Sequence, residues 1–235
     1  MSFLVAVLVR DPLIILATIA YGSFSLLVSF FDSDGEKQAA VARAWARMLL
    51  RIGGVRIRLE GFEKLTPNTS YVFAANHASY MDTPVVLANI PARFRFLAND
   101  YLFRVPFLGT HLTRAGHIPV AQGNAREAVK AMTEAARLVR ARQISVLVFP
   151  EGGRSLTGLQ EFRDGAAYIS IKAGIPIVPL ALKGTFNILP MHSLHMKPGL
   201  VVVHVGEPIA TTNLTIRDRA ELTAKVRSEV ARMLE

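Results

Sequence analysis

The feature that most constrains this chain is an alternation of short β-branched runs with helical stretches. After Gly53-Gly54 the runs recur at Val55 to Leu59, Tyr71 to Ala75, Phe94 to Ala98, Ile144 to Phe149, Ile177 to Leu182 and Leu200 to Val205. Helical periodicity lies between several of them, notably at Asn124 to Arg142 and Asp164 to Ala173, and a last amphipathic helix is predicted from about Ile216 onward. Strands this uniformly apolar must be covered on both faces. The pattern therefore predicts an α/β fold with a largely parallel central sheet flanked by helices. At 235 residues the chain can bury one sizeable core.

What precedes Gly53 is of another kind. Pro12 to Phe31 is a run of 20 uncharged residues, enough as a helix to cross about 30 Å of hydrocarbon. Ser29-Phe30-Phe31 is a poor cleavage site for a signal peptide, so the run reads as a retained membrane segment, either spanning or turning back around Gly22 and Ser23. From Glu36 to Ile52 a helix is predicted, with Arg43, Arg47 and Arg51 on one stripe. Beside the stripe lies an apolar face of Val41, Ala44, Trp45, Met48, Leu49 and Ile52, which suits a helix at the lipid headgroups; the alternative is a solvated arginine face on a docked helix. The expected organisation is a membrane-associated helical segment over 1–52 and an α/β domain over 53–235.

Charge and cysteine usage narrow the function. The net charge of +9 implies an anionic partner. Its cations are scattered rather than clustered with aromatics, so a bilayer surface or a polyanionic cosubstrate fits and nucleic acid does not. The absence of cysteine excludes a disulfide framework, a thiolate metal site and a cysteine nucleophile. His192 and His195 have no third ligand nearby in sequence, so no metal site is read there.

Two segments carry chemistry, each directly after an apolar strand, where side chains of an open α/β sheet reach the ligand crevice. In Asn76-His77-Ala78-Ser79-Tyr80-Met81-Asp82 a turn could return the Asp82 carboxylate to the His77 imidazole. One ring nitrogen would then be held as a donor and the other left free to take a proton. Ser79 and Asp82 equally match a helix capping box, with His77 a structural histidine. In Phe149-Pro150-Glu151-Gly152-Gly153-Arg154-Ser155 the glycine amides can face an anion and Arg154 can hold a phosphate; a plain glycine turn with a surface ion pair is the other reading.

Together the two segments resemble the glycerolipid acyltransferase family, which includes 1-acyl-glycerol-3-phosphate acyltransferases. Its first motif reads NHxSxxD and its third FPEGTRS; both are here in order, with Gly153 in place of the threonine. Val105 to Gly109 through Gly116 to Val120 resembles the family's second block, and Ile175 to Leu180 its fourth, so the likeness runs from about Tyr71 to Gly184. The resemblance implies an O-acyltransferase acting at a membrane, on the cytoplasmic face of the inner membrane. His77 would be the base, Asp82 its orienting partner, and Glu151, Gly152, Gly153, Arg154, Asn76 and Ser79 substrate contacts. The cosubstrate would be acyl-CoA or acyl-carrier-protein and the acceptor a lysophospholipid, with no metal or other cofactor. The chain departs from the family at Ala121-Gln122, where Asp-Arg is usual, and at Asn99, where a lysine is frequent. Both missing cations suit a phosphate; Arg114, Arg163 and Lys183 are the candidates to compensate.

Overall fold

The computed structural model describes residues 6–121 and 123–235. In chain order its main elements are α1 (Asp11–Val28), α2 (Glu36–Gly53), β1 (Val55–Glu60), β2 (Val72–Ala75), α3 (Asp82–Asn89), β3 (Phe94–Asn99), α4 (Leu108–Arg114) and β4 (Ile118–Val120). The second half adds α5 (Ala125–Arg142), β5 (Ser145–Val148), α6 (Gly165–Ala173), β6 (Ile177–Lys183), α7 (Thr185–Ile188), β7 (Gly199–Val205) and α8 (Arg219–Leu234).

The seven strands form one sheet in the order β1-β7-β6-β2-β5-β3-β4. β6, β2, β5, β3 and β4 are mutually parallel; β7 runs antiparallel to β6, and β1 parallel to β7. β2 lies near the centre, with Phe73 opposite Val178 on one side and Leu147 on the other. Its alternation divides the core. Phe73 and Ala75 pack with Leu49, Leu50, Val85 and Val86 on the face covered by α2 and α3. Val72 and Ala74 pack with Ala135, Ile169, Val226 and Val230 under α5, α6 and α8. The six runs expected as strands are strands. β4 escaped the sequence reading because it is three residues long and contains Pro119, tolerated there only because the strand ends the sheet.

The N-terminal segment is a single continuous helix through Gly22 and Ser23, so a reversal there is not what the chain does. Ala6–Phe31 is long and apolar enough to cross a membrane and is only 11% buried against the protein. Met1 to Val5 lie outside the described residues. α1 and α2 form an antiparallel hairpin: Trp45 Nε1 donates to Thr18 Oγ1 at 3.1 Å and Gln38 Nε2 to Ser25 Oγ at 3.5 Å. Being clasped between α1 and α3 rotates α2 from the expected orientation. The residues it buries are Gln38, Ala46, Leu49, Leu50 and Gly53, while Trp45 is half-buried against α1.

The arginine stripe is also broken. Arg47 and Arg51 are both exposed on the outside of the helix. Arg43 turns inward, donating to the carbonyls of Leu87, Ile90 and Ala92 and lying 5.4 Å from the Phe94 ring centroid. Those carbonyls end α3 and have no helical partner, so a guanidinium is a natural cap.

Candidate active site

His77 leaves the C-terminal end of β2, and its environment is built by the loops of three neighbouring strands. Its Nδ1 lies 2.7 Å from Asp82 Oδ2, which also accepts the Ala78 and Ser79 amides at 2.8 Å each. Asp82 is fully buried. An ionised carboxylate only accepts, so Nδ1 carries the proton and Nε2 is the free basic nitrogen. The capping box is not formed, since α3 starts after Met81 without a side-chain cap; the same carboxylate instead holds two amides of the turn before the helix, and the Ser79 hydroxyl accepts from the Met81 amide. One carboxylate thus closes the turn and orients the imidazole.

The ring is held in plane as well as by its edge. Phe149, at the end of β5, stacks on it with centroids 4.0 Å apart and an interplanar angle of 13°. Phe96 of β3 lies behind Phe149, 6.4 Å away at 15°. The His77 backbone is clamped from the same loop: its amide donates to Glu151 Oε1 at 2.6 Å and its carbonyl accepts from the Ser155 amide at 3.0 Å. Glu151 Oε2 accepts from the Gln160 amide at 3.0 Å. Glu151 therefore fastens the β5 loop to the histidine, and burial raises its pKa above the ordinary carboxylate value despite those two amides.

The remaining expected residues divide into inward and outward groups. Asn76 spends both ends of its carboxamide on Leu182 of β6, accepting at 2.7 Å and donating at 3.2 Å. Ser79 is fully buried, donating to the Leu189 carbonyl at 2.6 Å and accepting from the Met81 amide. Both brace the floor. Gly152 has φ +76°, which calls for glycine, and a Cβ there would sit 2.8 Å from Arg163 Cζ and push that side chain aside. Gly153 faces open space, with nothing within 4 Å of where a Cβ would lie. Arg154 lies over the Tyr80 ring at 4.2 Å, and its buried Nε has no hydrogen-bond partner among the described residues.

A cavity of about 180 Å³ opens beside His77, lined among others by Ala78, Glu151, Lys183, Thr185, Phe186 and Leu234. Of the three compensating cations, Arg163 is against Gly152 and Lys183 borders this cavity. Arg114 is elsewhere, donating to Ser29 Oγ at 2.7 Å and lying over Phe30. Asn99 accepts the Tyr101 amide at 3.2 Å, capping the turn after β3, while Gln122 lies outside the described residues. His195 is bonded to Asp11 Oδ2 at 2.6 Å.

Sequence reasoning missed the stacking role of Phe149 and the cavity residues Thr185 and Phe186. The signal for Phe149 was its place as the last apolar residue before the glycine turn. For the other two it was only that they follow a strand adjacent to β2.

The family model described as Acyltransferase matches residues 56–183. A 1-acyl-sn-glycerol-3-phosphate acyltransferase of Cocos nucifera is 34% identical over 166 residues, 70% of this chain and 53% of that protein. This chain thus spans little more than half the length of that relative. A protein of the same name from Saccharomyces cerevisiae is 27% identical over 233 residues, covering 96% of this chain and 77% of that one. Among solved structures, the 1-acyl-sn-glycerophosphate acyltransferase PlsC from Thermotoga maritima superposes with a TM-score of 0.78 at 25% identity, over 96% of this chain and 92% of that one.

Proposed function

The chain belongs to the acyltransferase family, and from that premise we propose that it moves a fatty-acyl group from acyl-CoA or acyl-carrier-protein to the sn-2 hydroxyl of 1-acyl-glycerol-3-phosphate, giving phosphatidic acid. The observation that carries the reading is the buried Asp82 held 2.7 Å from His77 Nδ1, which leaves Nε2 as the only basic position on the ring.

In this mechanism Nε2 takes the proton of the acceptor hydroxyl as its oxygen bonds to the thioester carbonyl carbon. The tetrahedral intermediate collapses with loss of the thiolate, which recovers the proton from the imidazolium. Asp82 fixes the tautomer and stabilises the transient charge without becoming protonated. No covalent acyl-enzyme and no metal are required. Arg154, carried on the face of Tyr80, holds the acceptor phosphate; Arg163 lies against Gly152 of the same loop, which Glu151, Gly152 and Gly153 shape. Asn76 and Ser79 act by positioning the floor.

Residues 1–52 form the membrane-associated part and 53–235 the catalytic domain. α1 is fastened to that domain along its length, by Asp11 to His195 and by Ser25 Oγ to His111 Nδ1 at 2.9 Å. A helix held in this way meets lipid along its outer face, on the cytoplasmic side of the inner membrane. The test is full-length protein in liposomes with radiolabelled acyl-CoA or acyl-carrier-protein and a panel of lyso-lipids. Label should appear in phosphatidic acid. Label only as free fatty acid would make the protein a thioesterase, and transfer confined to phosphate-free lyso-lipids would refute the acceptor.

A further inference from the structure

After Phe31, eleven large apolar side chains are exposed among the described residues, and four of them, Tyr101, Val105, Phe107 and Leu108, fall in one eight-residue stretch. Scattered exposed apolar residues need no explanation, whereas a cluster does. This stretch joins β3 to α4 at the same sheet edge from which His77 and the Phe149 loop emerge. Its tip, Phe107, is 76% exposed.

The tip is held outward rather than merely loose. Phe107 has φ 64° and ψ −54°, and the Leu108 amide donates to the Pro106 carbonyl at 2.7 Å. That is a γ-turn of the strained kind, rare for any residue with a Cβ. It is locked from both sides, by the Gly109 amide on the Val105 carbonyl at 2.7 Å and the His111 amide on the Phe107 carbonyl at 3.0 Å. Gly109 permits the closure, since a Cβ there would lie 2.0 Å from the Phe103 carbonyl oxygen. A fold that fixes a strained turn so as to hold a phenylalanine in water calls for a further partner.

The neighbouring element says which. His111 meets Ser25 and Arg114 meets Ser29, so α4 and α1 lie side by side and run in the same direction. One turn before His111, Phe107 comes level with Tyr21, one turn before Ser25. The cluster thus lies alongside α1, at the level where Phe24 and Leu27 on the side of the helix away from α4 are each more than half exposed.

We propose that the stretch from Tyr101 to Leu108 is a second membrane-contacting element, with Phe107 inserted into the acyl region of the bilayer. It carries the lipid contact from α1 up to the edge of the reaction site. The proposal rests on the membrane attachment of α1, and the test separates the two.

The chain has no cysteine, so single-cysteine variants of the full-length protein take a nitroxide label at one place only. Phe107→Cys, Phe24→Cys on α1 and Val129→Cys on α5 are each labelled and bound to vesicles of equal parts phosphatidylethanolamine and phosphatidylglycerol. At 107 and 24 the label should be relaxed more by oxygen than by an aqueous nickel complex, and at 129 the reverse. A label at 24 immersed in lipid with one at 107 matching 129 would overturn the second element alone. Aqueous readings at both 24 and 107 would overturn attachment and the second element together. Phe107→Asp, a residue that tolerates positive φ, should weaken vesicle partitioning about tenfold, whereas Val129→Asp should not. Equal partitioning of the two would also count against the proposal.

Discussion

At the scale of single residues, the site works by restraining one imidazole in three ways: Asp82 at its edge, Phe149 on its face and Glu151 on its backbone. His77→Ala should lower kcat by roughly 10²–10⁴ with the fold intact, measured as acyl transfer by circular-dichroism-checked protein; retention of a tenth of the activity would remove His77 as the base. Asp82→Asn should be nearly as damaging, because an amide presented to Nδ1 favours the wrong tautomer. Phe149→Leu leaves the hydrogen bonds but frees the ring plane. It should reduce kcat about tenfold with little change in either KM, and Phe149→Tyr should restore most of the loss. Arg154→Ala should act on the acceptor instead, raising its KM roughly ten- to hundredfold while the donor KM holds. The pairing of His77 with Asp82 was legible from their five-residue spacing because a turn can span it. Phe149 was not, because stacking depends on how β5 neighbours β2.

At the scale of elements, the α1–α2 hairpin shows how docking overrides a helical stripe. Three arginines four apart looked like one basic face, yet the first caps the end of α3 and only Arg47 and Arg51 remain outside. Arg43→Ala should therefore cost about 1–3 kcal/mol in chemical denaturation, from the stranded carbonyls, and leave vesicle binding unchanged. Arg47→Ala should do the opposite. Removing Met1 to Phe31 should shift most of the protein out of the membrane fraction, leaving weak binding through Arg47 and Arg51, which salt screens, and through the Tyr101 to Leu108 stretch. Undiminished binding by the truncated chain would mean that α1 is not the anchor.

At the scale of the whole molecule, acid should act through His117, a half-buried histidine outside the catalytic pair. Burial, with help from the neighbouring His111 and Arg95, lowers the pKa of His117 to about 3, and its Nδ1 accepts the Phe96 amide at 3.0 Å. A base with a depressed folded pKa contributes stability that is present above its unfolded pKa and lost as pH falls toward the folded one. Unfolding free energy should thus decline below about pH 6.5, by up to about 1.4 kcal/mol per unit, until about pH 3. Glu151 works in the other sense, since its raised pKa makes its contribution largest in acid. His117→Gln, which can still accept the amide, should flatten the acid limb in urea titrations at several pH values; an unchanged slope would exclude His117 as its source.

By itself the sequence determined the periodic elements and the short-range pairs. Apolar runs in β2, β5 and β6 can be satisfied only in a sheet covered on both faces, and the turn from His77 to Asp82 closes within one loop. The glycine at 152 was legible for the same reason, as a local backbone requirement. Tertiary structure alone decided what depends on strand order and on helix rotation about its axis. The adjacency of β2 and β5 set Phe149 on His77 and Glu151 on its amide, and that of β2 and β6 turned Asn76 and Ser79 into braces against Leu182 and Leu189. Packing between helices drew Arg43 inward and aligned α4 with α1. Spacing fixes contacts within a turn or two. Contacts between residues 70 or more apart follow from which surfaces pack, and that is settled by the burial of the whole core at once.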